Sequence, residues 1–162
     1  MKTIVLMMVG LSWSFFAHAN DVLSGEVVNV IDGNTVEVLA EDNETYKIML
    51  YGIDCPGLDQ AYGEKAKQQL EKLLLKKIVN VNLKGKNRWG TRLGIIMTGE
   101  IDPRRELLKE GLAWTAEVNP DPEFEAIKQE ARENGRGLWK EANPIPPWTF
   151  RRQKTMMQMK SS

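Results

Sequence analysis

The stretch Tyr46 to Gly63, Y-K-I-M-L-Y-G-I-D-C-P-G-L-D-Q-A-Y-G, contains the signals that decide the fold. Its first half is rich in aromatic, β-branched and other apolar residues, which is typical of a β-strand. The turn-forming sequence Asp54-Cys55-Pro56-Gly57 ends that strand, and from Gln60 onward the apolar residues recur at helical spacing. A carboxylate between an apolar strand and a Pro-Gly turn predicts one of two roles for Asp54. It is a metal ligand or catalytic group, or it is simply part of the turn.

The segments on either side of this stretch carry further strand and helix signals. Asp32-Gly33-Asn34 lies between two β-type runs, and a short glycine-containing loop in that position predicts a hairpin. Asp102-Pro103 and Asp121-Pro122 each combine an N-cap residue with proline at the first helical position, so each predicts the start of a helix. The predicted strands are Gly25–Ile31, Thr35–Leu39, Tyr46–Ile53, Ile78–Leu83 and Arg92–Met97, and the predicted helices run from about Gln60 to Lys76, from Pro103 to Gly111 and from Pro122 to about Gly135.

This order of elements predicts an α+β, mainly β fold, a small curved five-stranded barrel with three helices. Residues 20–150 form one domain in this prediction, because no internal repeat or linker divides them. The proline-rich segment Asn143–Trp148 is expected to be extended across the surface. We expect residues 151–162 to form a flexible basic tail that ends in a frayed, methionine-containing segment.

The first residues have the pattern of a signal peptide. Lys2 precedes the short apolar run Ile4–Phe16, and Ala17-His18-Ala19 has the small-residue pattern of a cleavage site. Cleavage after residue 19 predicts a mature start near Asn20, a secreted or periplasmic protein and no remaining membrane span. The alternative is a retained membrane anchor, for which the apolar run is short.

The mature chain has few residue types available for chemistry. Cleavage of the signal peptide removes His18, the only histidine of the sequence, and Cys55 is the only cysteine. This excludes a histidine base, an imidazole-containing zinc site, a thiolate cluster and an internal disulfide. Chemistry must therefore come from carboxylates, Lys, Arg, Tyr, Ser and Thr. Cys55 itself is either a small buried side chain or, in an oxidising compartment, the site of a mixed disulfide.

The charges balance to +0 overall but are unevenly distributed. Asn20–Asp59 contains nine acidic residues and one Lys, whereas Gln60–Arg92 contains nine basic residues and two acidic ones. The balanced total gives no general attraction to nucleic acid. The basic block is either a phosphate-facing surface or the solvated side of a helix and a strand. We expect a monomer.

Several motifs in order make the chain similar to one known family. They are V-I-D-G-N-T-V at Val30, G-I-D-C-P at Gly52, Q-A-Y-G-E-K-A-K at Gln60, G-K-N-R-W-G at Gly85, R-E-L-L-K-E-G-L-A-W at Arg105, G-R-G-L-W at Gly135 and N-P-I-P-P-W at Asn143. The chain resembles the staphylococcal nuclease, or thermonuclease, family over almost its whole mature length. The resemblance implies an OB-fold barrel and a calcium-dependent phosphodiesterase that acts on DNA and RNA.

The metal ligands of that family are only partly retained. Asp54 matches one calcium-ligating Asp, and Cys55 stands where the family contributes a backbone carbonyl. Asn34 replaces the other calcium-ligating Asp, so a neutral amide oxygen replaces a charged one. The resemblance therefore implies that a Ca²⁺ site at these residues is weakened or lost.

The catalytic positions implied by the resemblance are all substituted. Met49 stands in place of the arginine that clamps the scissile phosphate, Gly57 in place of the glutamate that activates water, and Thr91 in place of the second arginine. A thioether and a glycine cannot donate to phosphate or accept a proton. Arg92 rescues the last position if a bulge turns it to the same face. Lys47 or Asp59 would be further substitutes, as a point charge near phosphate and as a base, respectively.

Three hypotheses about function remain open. The first is a catalytically degenerate nuclease-family protein, a pseudoenzyme that binds single-stranded DNA or RNA weakly; its candidate binding residues are Lys84, Lys86, Arg88, Trp89 and Arg92. In it, Trp89 either stacks on bases or packs beneath its own loop. The second is an active metal-dependent endonuclease with an altered site built on Asp54, Asn34, Asp32 and Arg92. The third is a non-enzymatic module that binds an envelope protein.

Overall fold

The computed structural model of the chain describes residues 22–161, and the side chains of residues 22–160. The predicted signal peptide, His18 and the predicted mature start near Asn20 lie outside the described residues. The strands are β1 (Val22–Asp32), β2 (Thr35–Ala40), β3 (Thr45–Leu50), β4 (Ile53–Asp54), β5 (Ile78–Lys86), β6 (Arg92–Met97) and β7 (Trp114–Thr115). The helices are α1 (Gly63–Leu74), α2 (Pro103–Lys109), α3 (Pro122–Glu133) and α4 (Pro147–Ser161), with a 3-10 turn at Gly137–Lys140.

Five of the strands close into a barrel in the order β1-β2-β3-β6-β5, which confirms the predicted five-stranded α+β barrel of the OB type. β1 closes the barrel because it pairs antiparallel with β2 along one edge and with β5 along the other. Its pairing with β2 shifts register between Val27 and Asn29 and again between Val30 and Asp32. Such bulges bend a strand and increase its twist, which a small closed barrel requires.

The barrel is filled by the inward-facing residues of its strands and is closed at one end by α1. Ala66, Leu70 and Leu74 of α1 are fully buried, and they belong to the same apolar cluster as Val36, Val38 and Ile48 of the barrel. Gly33 in the β1–β2 turn approaches α1 so closely that a Cβ atom there would lie 2.5 Å from the Cβ of Ala66. The turn that carries Asp32 and Asn34 is therefore held against the helix.

The predicted third strand is interrupted near its end, and this part of the prediction is wrong. β3 ends at Leu50, Gly52 adopts a φ of 85°, and a short separate strand, β4, follows. β4 pairs with β7 to form a two-stranded sheet, with Asp54 opposite Trp114. The sequence did not reveal this small sheet, because strands of two residues have no measurable period.

The C-terminal segment requires a second correction. Residues 22–161 contain four α-helices instead of the predicted three, and α4 covers most of the residues that the sequence assigned to an extended segment and a frayed tail. Arg, Gln, Lys and Met favour helices, and Pro147 occupies the first position of α4, where proline is tolerated. By contrast, the predicted N-caps Asp102 and Asp121 are confirmed, since their side chains accept hydrogen bonds from backbone N–H groups of α2 and α3. Within residues 22–161, no helix is long and apolar enough to cross a membrane.

Candidate functional site

A cleft of about 480 Å³ lies beside Asp54. The β1–β2 turn contributes Asp32 and Asn34, β3 contributes Met49, and the short strand β4 contributes Asp54. The first turns of α4 close the remaining side with Trp148 and Arg151. The predicted metal residues are therefore brought together, and a helix that the sequence did not predict completes their surroundings.

Asp54 is bound at the cleft by the guanidinium group of Arg151. Nη2 of Arg151 donates to Oδ2 of Asp54 at 2.6 Å, and Nη1 donates to Oδ1 at 3.2 Å. The Asp54 side chain is 20% exposed, whereas that of Arg151 is 53% exposed. Burial raises the pKa of Asp54 above its usual value, and the hydrogen bonds and positive charge of Arg151 oppose that rise. Both carboxylate oxygens are thus occupied by a bidentate, charge-assisted contact.

Two further ion pairs link α4 to the rim of the cleft. Nη1 of Arg152 lies 3.0 Å from Oε1 of Glu117, and Lys154 forms an ion pair with Asp59. The hydrogen bond from Lys154 lowers the pKa of the Asp59 carboxyl. α4 therefore supplies the positive partner of three carboxylates around one cleft, including that of Asp54.

An aromatic contact anchors the start of α4. The Trp148 ring meets the Trp114 ring edge-on, with 5.8 Å between the ring centroids, and Trp114 in turn packs against Trp139 at 4.7 Å. Trp114 lies on β7, the partner strand of β4, directly opposite Asp54. The small β4–β7 sheet thus positions both the carboxylate and the surface on which α4 begins.

Asn34 contributes an unusual polar group to the same cleft. Asn34 is only 6% exposed, and its Oδ1 accepts no hydrogen bond from any described residue. The backbone of Asn34 is fixed, because its N–H donates to Oδ1 of Asp32 at 2.8 Å and its carbonyl accepts from the N–H of Leu50 at 2.9 Å. A buried oxygen without a donor is costly unless a ligand or water satisfies it.

These residues do not fit a divalent cation while α4 is in place. Ca²⁺ takes about six to eight oxygen ligands, most of them negatively charged or backbone carbonyls. Asp54, Asn34 and the Cys55 carbonyl provide one charged group between them, and the oxygens of that group already accept hydrogen bonds from Arg151. Among residues 22–161, no group of three or more His, Cys, Asp or Glu could hold a metal ion.

The three substituted catalytic positions differ in their placement. Met49 lines the cleft, where its sulfur accepts a long contact of 3.9 Å from Nδ2 of Asn87. Gly57 also lines the cleft, and a Cβ atom there would meet the Asp59 carboxylate at 3.0 Å. Thr91 is held in the β5–β6 loop by a hydrogen bond from its N–H to Oδ1 of Asn87. At Met49 and Gly57 the cleft thus presents a thioether and a bare backbone.

The proposed substitutes face elsewhere. The Arg92 guanidinium lies over the Tyr46 ring, 4.5 Å from its centroid, and Arg92 lines a separate depression with Lys84 and Lys86. Asp59 is held by Lys154, and Lys47 is exposed on β3 opposite Glu37. Arg92, Asp59 and Lys47 are absent from the residues that line the Asp54 cleft within the described part of the chain.

The five predicted nucleic-acid-binding residues fall into two groups. Lys84, Lys86 and Arg92 line the depression just described, whereas Arg88 and Trp89 face α4 across a groove of about 870 Å³. Trp89 is 68% exposed, so it does not pack beneath its own loop, and the Arg88 guanidinium stacks on its ring at 4.1 Å. The groove's other basic residues, all on α4, are Arg151, Arg152 and Lys154.

Sequence reasoning missed the residues of α4 entirely. The available signal was a run of basic residues without an acidic one, directly after Trp148, in a chain whose N-terminal third is strongly acidic. Cys55, which was predicted to be either a reactive thiol or a buried side chain, is 4% exposed, and burial raises the pKa of its thiol well above the usual value.

Comparison with known proteins gives consistent relatives. The family model described as "Staphylococcal nuclease homologue" matches residues 47–141. The chain is 34% identical to a protein of Escherichia coli O157:H7 named "Uncharacterized endonuclease", over 82% of this chain and 87% of that protein. It is 35% identical to a Haemophilus influenzae protein with the same name, over 78% and 72% of the two chains. It is 32% identical to the "Micrococcal nuclease" of Shigella flexneri, over 79% and 80%.

Proposed function

Because this chain belongs to the staphylococcal nuclease family, we propose that it is a secreted nucleic-acid-binding protein whose phosphodiesterase site has degenerated. The observation that carries the proposal is the state of Asp54, whose two oxygens accept from Arg151 instead of facing an open cleft. Family members are generally calcium-dependent nucleases, and the site of this chain does not fit that ion while α4 is in place.

The loss of catalytic power follows from the side chains that line the cleft. A positioned general base accelerates proton transfer by about 10²–10⁴, and Gly57 provides none. An electrostatic clamp on developing charge contributes about 10²–10³, and Met49 provides none. These factors do not simply multiply, but among the described residues that line the cleft the only other carboxylates are those of Asp32 and Glu117. Oδ1 of Asp32 accepts from Asn34, and Glu117 pairs with Arg152.

Nucleic-acid binding is supported by the groove between the Arg88–Trp89 loop and α4. Four cations line it, Arg88, Arg151, Arg152 and Lys154, together with the exposed ring of Trp89. A basic groove with an accessible aromatic ring is the usual surface for single-stranded DNA or RNA, because the cations follow the phosphates and the ring stacks on bases. Glu117 and the ion pairs of α4 reduce the positive potential, so we expect weak binding.

The experiment is a titration of fluorescent single-stranded DNA of about 12 nucleotides, followed by anisotropy at ~50 mM and ~200 mM salt. We expect binding at low salt that weakens steeply at high salt, because counterions are released from the phosphates. Trp89→Ala should weaken binding by about tenfold, since stacking contributes ~1–3 kcal/mol per base. Lys140→Gln, at an exposed lysine that does not line the groove, is the control. No binding at either salt concentration would refute the proposal and favour an envelope protein as partner.

A second candidate is an active metal-dependent nuclease with an altered site. The unpaired buried oxygen of Asn34 beside Asp54 favours it, as do the names of the curated relatives. Cleavage of single-stranded DNA in Ca²⁺, Mg²⁺ or Mn²⁺ distinguishes the two candidates, with Asp54→Ala as the control. Cleavage by the parent that disappears in Asp54→Ala would establish the second candidate and overturn the first.

A further inference from the structure

The charges of α4 complement those of the surface it covers. Residues 147–161 contain four basic residues, Arg151, Arg152, Lys154 and Lys160, and no acidic one. The cleft and its rim carry Asp32, Asp54, Asp59 and Glu117, three of which pair with α4. Without α4 this cleft would be strongly negative, and with α4 in place it is close to neutral.

The Arg151 guanidinium lies where a cation bound to Asp54 would lie. It donates to both oxygens of the carboxylate, so a metal ion that approaches on the same side must compete with Arg151 for those oxygens and is repelled by its positive charge. Asn34 also lines the cleft, and its buried Oδ1 has no hydrogen-bond donor among the described residues. A side-chain oxygen without a donor, close to a carboxylate, suits a hard cation, and here the carboxylate is neutralised by an arginine of the same chain.

The part of α4 that carries this guanidinium is weakly held. Trp148 packs on Trp114, and Phe150 lines a small pocket with Gln60 and Ile145, so the start of the helix is anchored by apolar contacts. From Arg151 to Lys160 every residue is exposed, and two of the three ion pairs join side chains that are about half exposed, whereas Asp54 in the third pair is 20% exposed. Exposed ion pairs contribute little net stability, because solvent screens them and the side chains lose entropy.

We infer that α4 is a displaceable plug, which neutralises Asp54 through Arg151 and thereby excludes divalent cations from the cleft. The inference concerns the regulation of the Asp54 cleft. It rests on the proposed function only in assuming that nucleic acid approaches this cleft. Displacement needs the loss of three ion pairs, one of them partly buried, while the anchor at Trp148 stays in place. Polyanions in the adjoining groove would favour it, because their phosphates compete with Asp54, Glu117 and Asp59 for the same cations.

The test compares cation binding in matched full-length variants. Tb³⁺ is the probe, because it replaces Ca²⁺ at oxygen sites and its luminescence is sensitised by nearby tryptophans such as Trp148 and Trp89. Arg151→Gln removes the guanidinium from Asp54, and Arg152→Gln makes the same change of charge one residue further along α4, at the Glu117 pair. Arg151→Lys keeps the positive charge, and Asp54→Asn combined with Arg151→Gln removes the carboxylate as well. Circular dichroism establishes that each variant is folded.

We expect Arg151→Gln to bind Tb³⁺ at least about tenfold more tightly than the parent, which corresponds to ~1.4 kcal/mol. Arg152→Gln and Arg151→Lys should stay within about threefold of the parent, and the double variant should lose the gain. Hydrogen exchange in residues 151–160 should be faster in Arg151→Gln than in Arg152→Gln. Equal Tb³⁺ affinity in the parent and Arg151→Gln, or an equal gain in Arg152→Gln, would overturn the inference.

The outcome is separable from that of the proposed function. If single-stranded DNA does not bind to the parent or to Arg151→Gln at any salt concentration, the proposed function fails while the luminescence result still decides the plug. If DNA binds but Arg151→Gln gains no affinity for Tb³⁺, the plug fails and the proposed function stands.

Discussion

Removing the guanidinium from Asp54 should destabilise the protein by a predictable amount. The Asp54 side chain is 20% exposed and that of Arg151 is 53% exposed, so this ion pair is intermediate between a fully buried pair and an exposed one. Breaking a fully buried ion pair costs about 3–5 kcal/mol, whereas an exposed pair contributes about 0–1 kcal/mol. Because solvent screens the half-exposed Arg151, we expect Arg151→Gln to lower the free energy of unfolding by ~1–2 kcal/mol. For a domain of this size this lowers the melting temperature by about 3–6 °C.

A double-mutant cycle with Asp54→Asn isolates the interaction of the two side chains. Chemical unfolding of the parent, both single variants and the double variant should give a coupling energy of about 1 kcal/mol or more. Arg152→Gln is the matched control and should cost less than about 0.5 kcal/mol, because Arg152 and Glu117 are 57% and 46% exposed. A coupling energy below about 0.3 kcal/mol, or an equal loss in the control, would refute the reasoning.

The cost of Arg151→Gln should also depend on pH. The pKa of Asp54 in the folded protein is raised above its ordinary 3.8 by burial, and Arg151 limits that rise. Loss of Arg151 therefore raises this pKa further. When the pKa of a carboxyl group is higher in the folded protein than in the unfolded chain, the folded protein is destabilised at pH values above the folded-state pKa. This destabilisation disappears as the pH falls toward the pKa of the unfolded chain. The difference in stability between the parent and Arg151→Gln should therefore shrink as the pH is lowered from 7 toward 4, and a difference that grows would contradict this assignment.

Three further predictions test other parts of the structure. Restoring Asn34→Asp, Met49→Arg, Gly57→Glu and Thr91→Arg should produce Ca²⁺-dependent cleavage of single-stranded DNA, and adding Arg151→Gln should lower the Ca²⁺ concentration that this cleavage needs, because Arg151 otherwise holds Asp54. An equal Ca²⁺ requirement with and without the fifth change would contradict this, and Arg152→Gln is the control. The Cys55 thiol should react with a thiol reagent at pH 8 only after unfolding, because burial raises its pKa and excludes the reagent; rapid labelling of the native protein would revive the mixed-disulfide hypothesis. Gly33→Ala should destabilise the fold by about 1–3 kcal/mol, because its Cβ would lie 2.5 Å from the Cβ of Ala66. Gly57→Ala, whose Cβ would meet only the end of the exposed Asp59 side chain at 3.0 Å, is the control, and equal melting temperatures for the two variants would count against the close packing of the turn on α1.

The barrel and its main helices could be predicted because their signals are local. β2 and β5 alternate in burial as their sequences do, and Asp102 and Asp121 cap the helices that follow them. The family motifs place Asp54 and Asn34 together, and the structure brings both to one cleft. These features depend on residues within a few positions of each other, or on a pattern common to a family.

The contacts of α4 could not be predicted, because they are made between distant parts of the chain. Arg151 lies 97 residues from Asp54, and Lys154 lies 95 residues from Asp59. No sequence periodicity relates positions so far apart, and residues 147–161 lack the apolar stripe that would predict a packed helix. One local signal was available, since Pro147 begins α4 in the same way that Pro103 begins α2, but no capping Asp precedes it. The substituted site residues could thus be identified from the sequence, whereas Arg151, the side chain that contacts Asp54, could not.

The long separation between α4 and its partners also has a consequence for folding kinetics. Pairs this distant close a large loop, and such closures are entropically unfavourable until the barrel that brings their ends together has formed. β1 itself must join β5 across the chain, Val22 opposite Asn82, before the barrel is complete. We therefore expect the contacts of α4 to form after the rate-limiting step of folding, so that their loss accelerates unfolding and leaves the folding rate almost unchanged. On this expectation, helix α4 determines how long the native cleft persists once it has formed, and has little effect on how quickly the cleft forms.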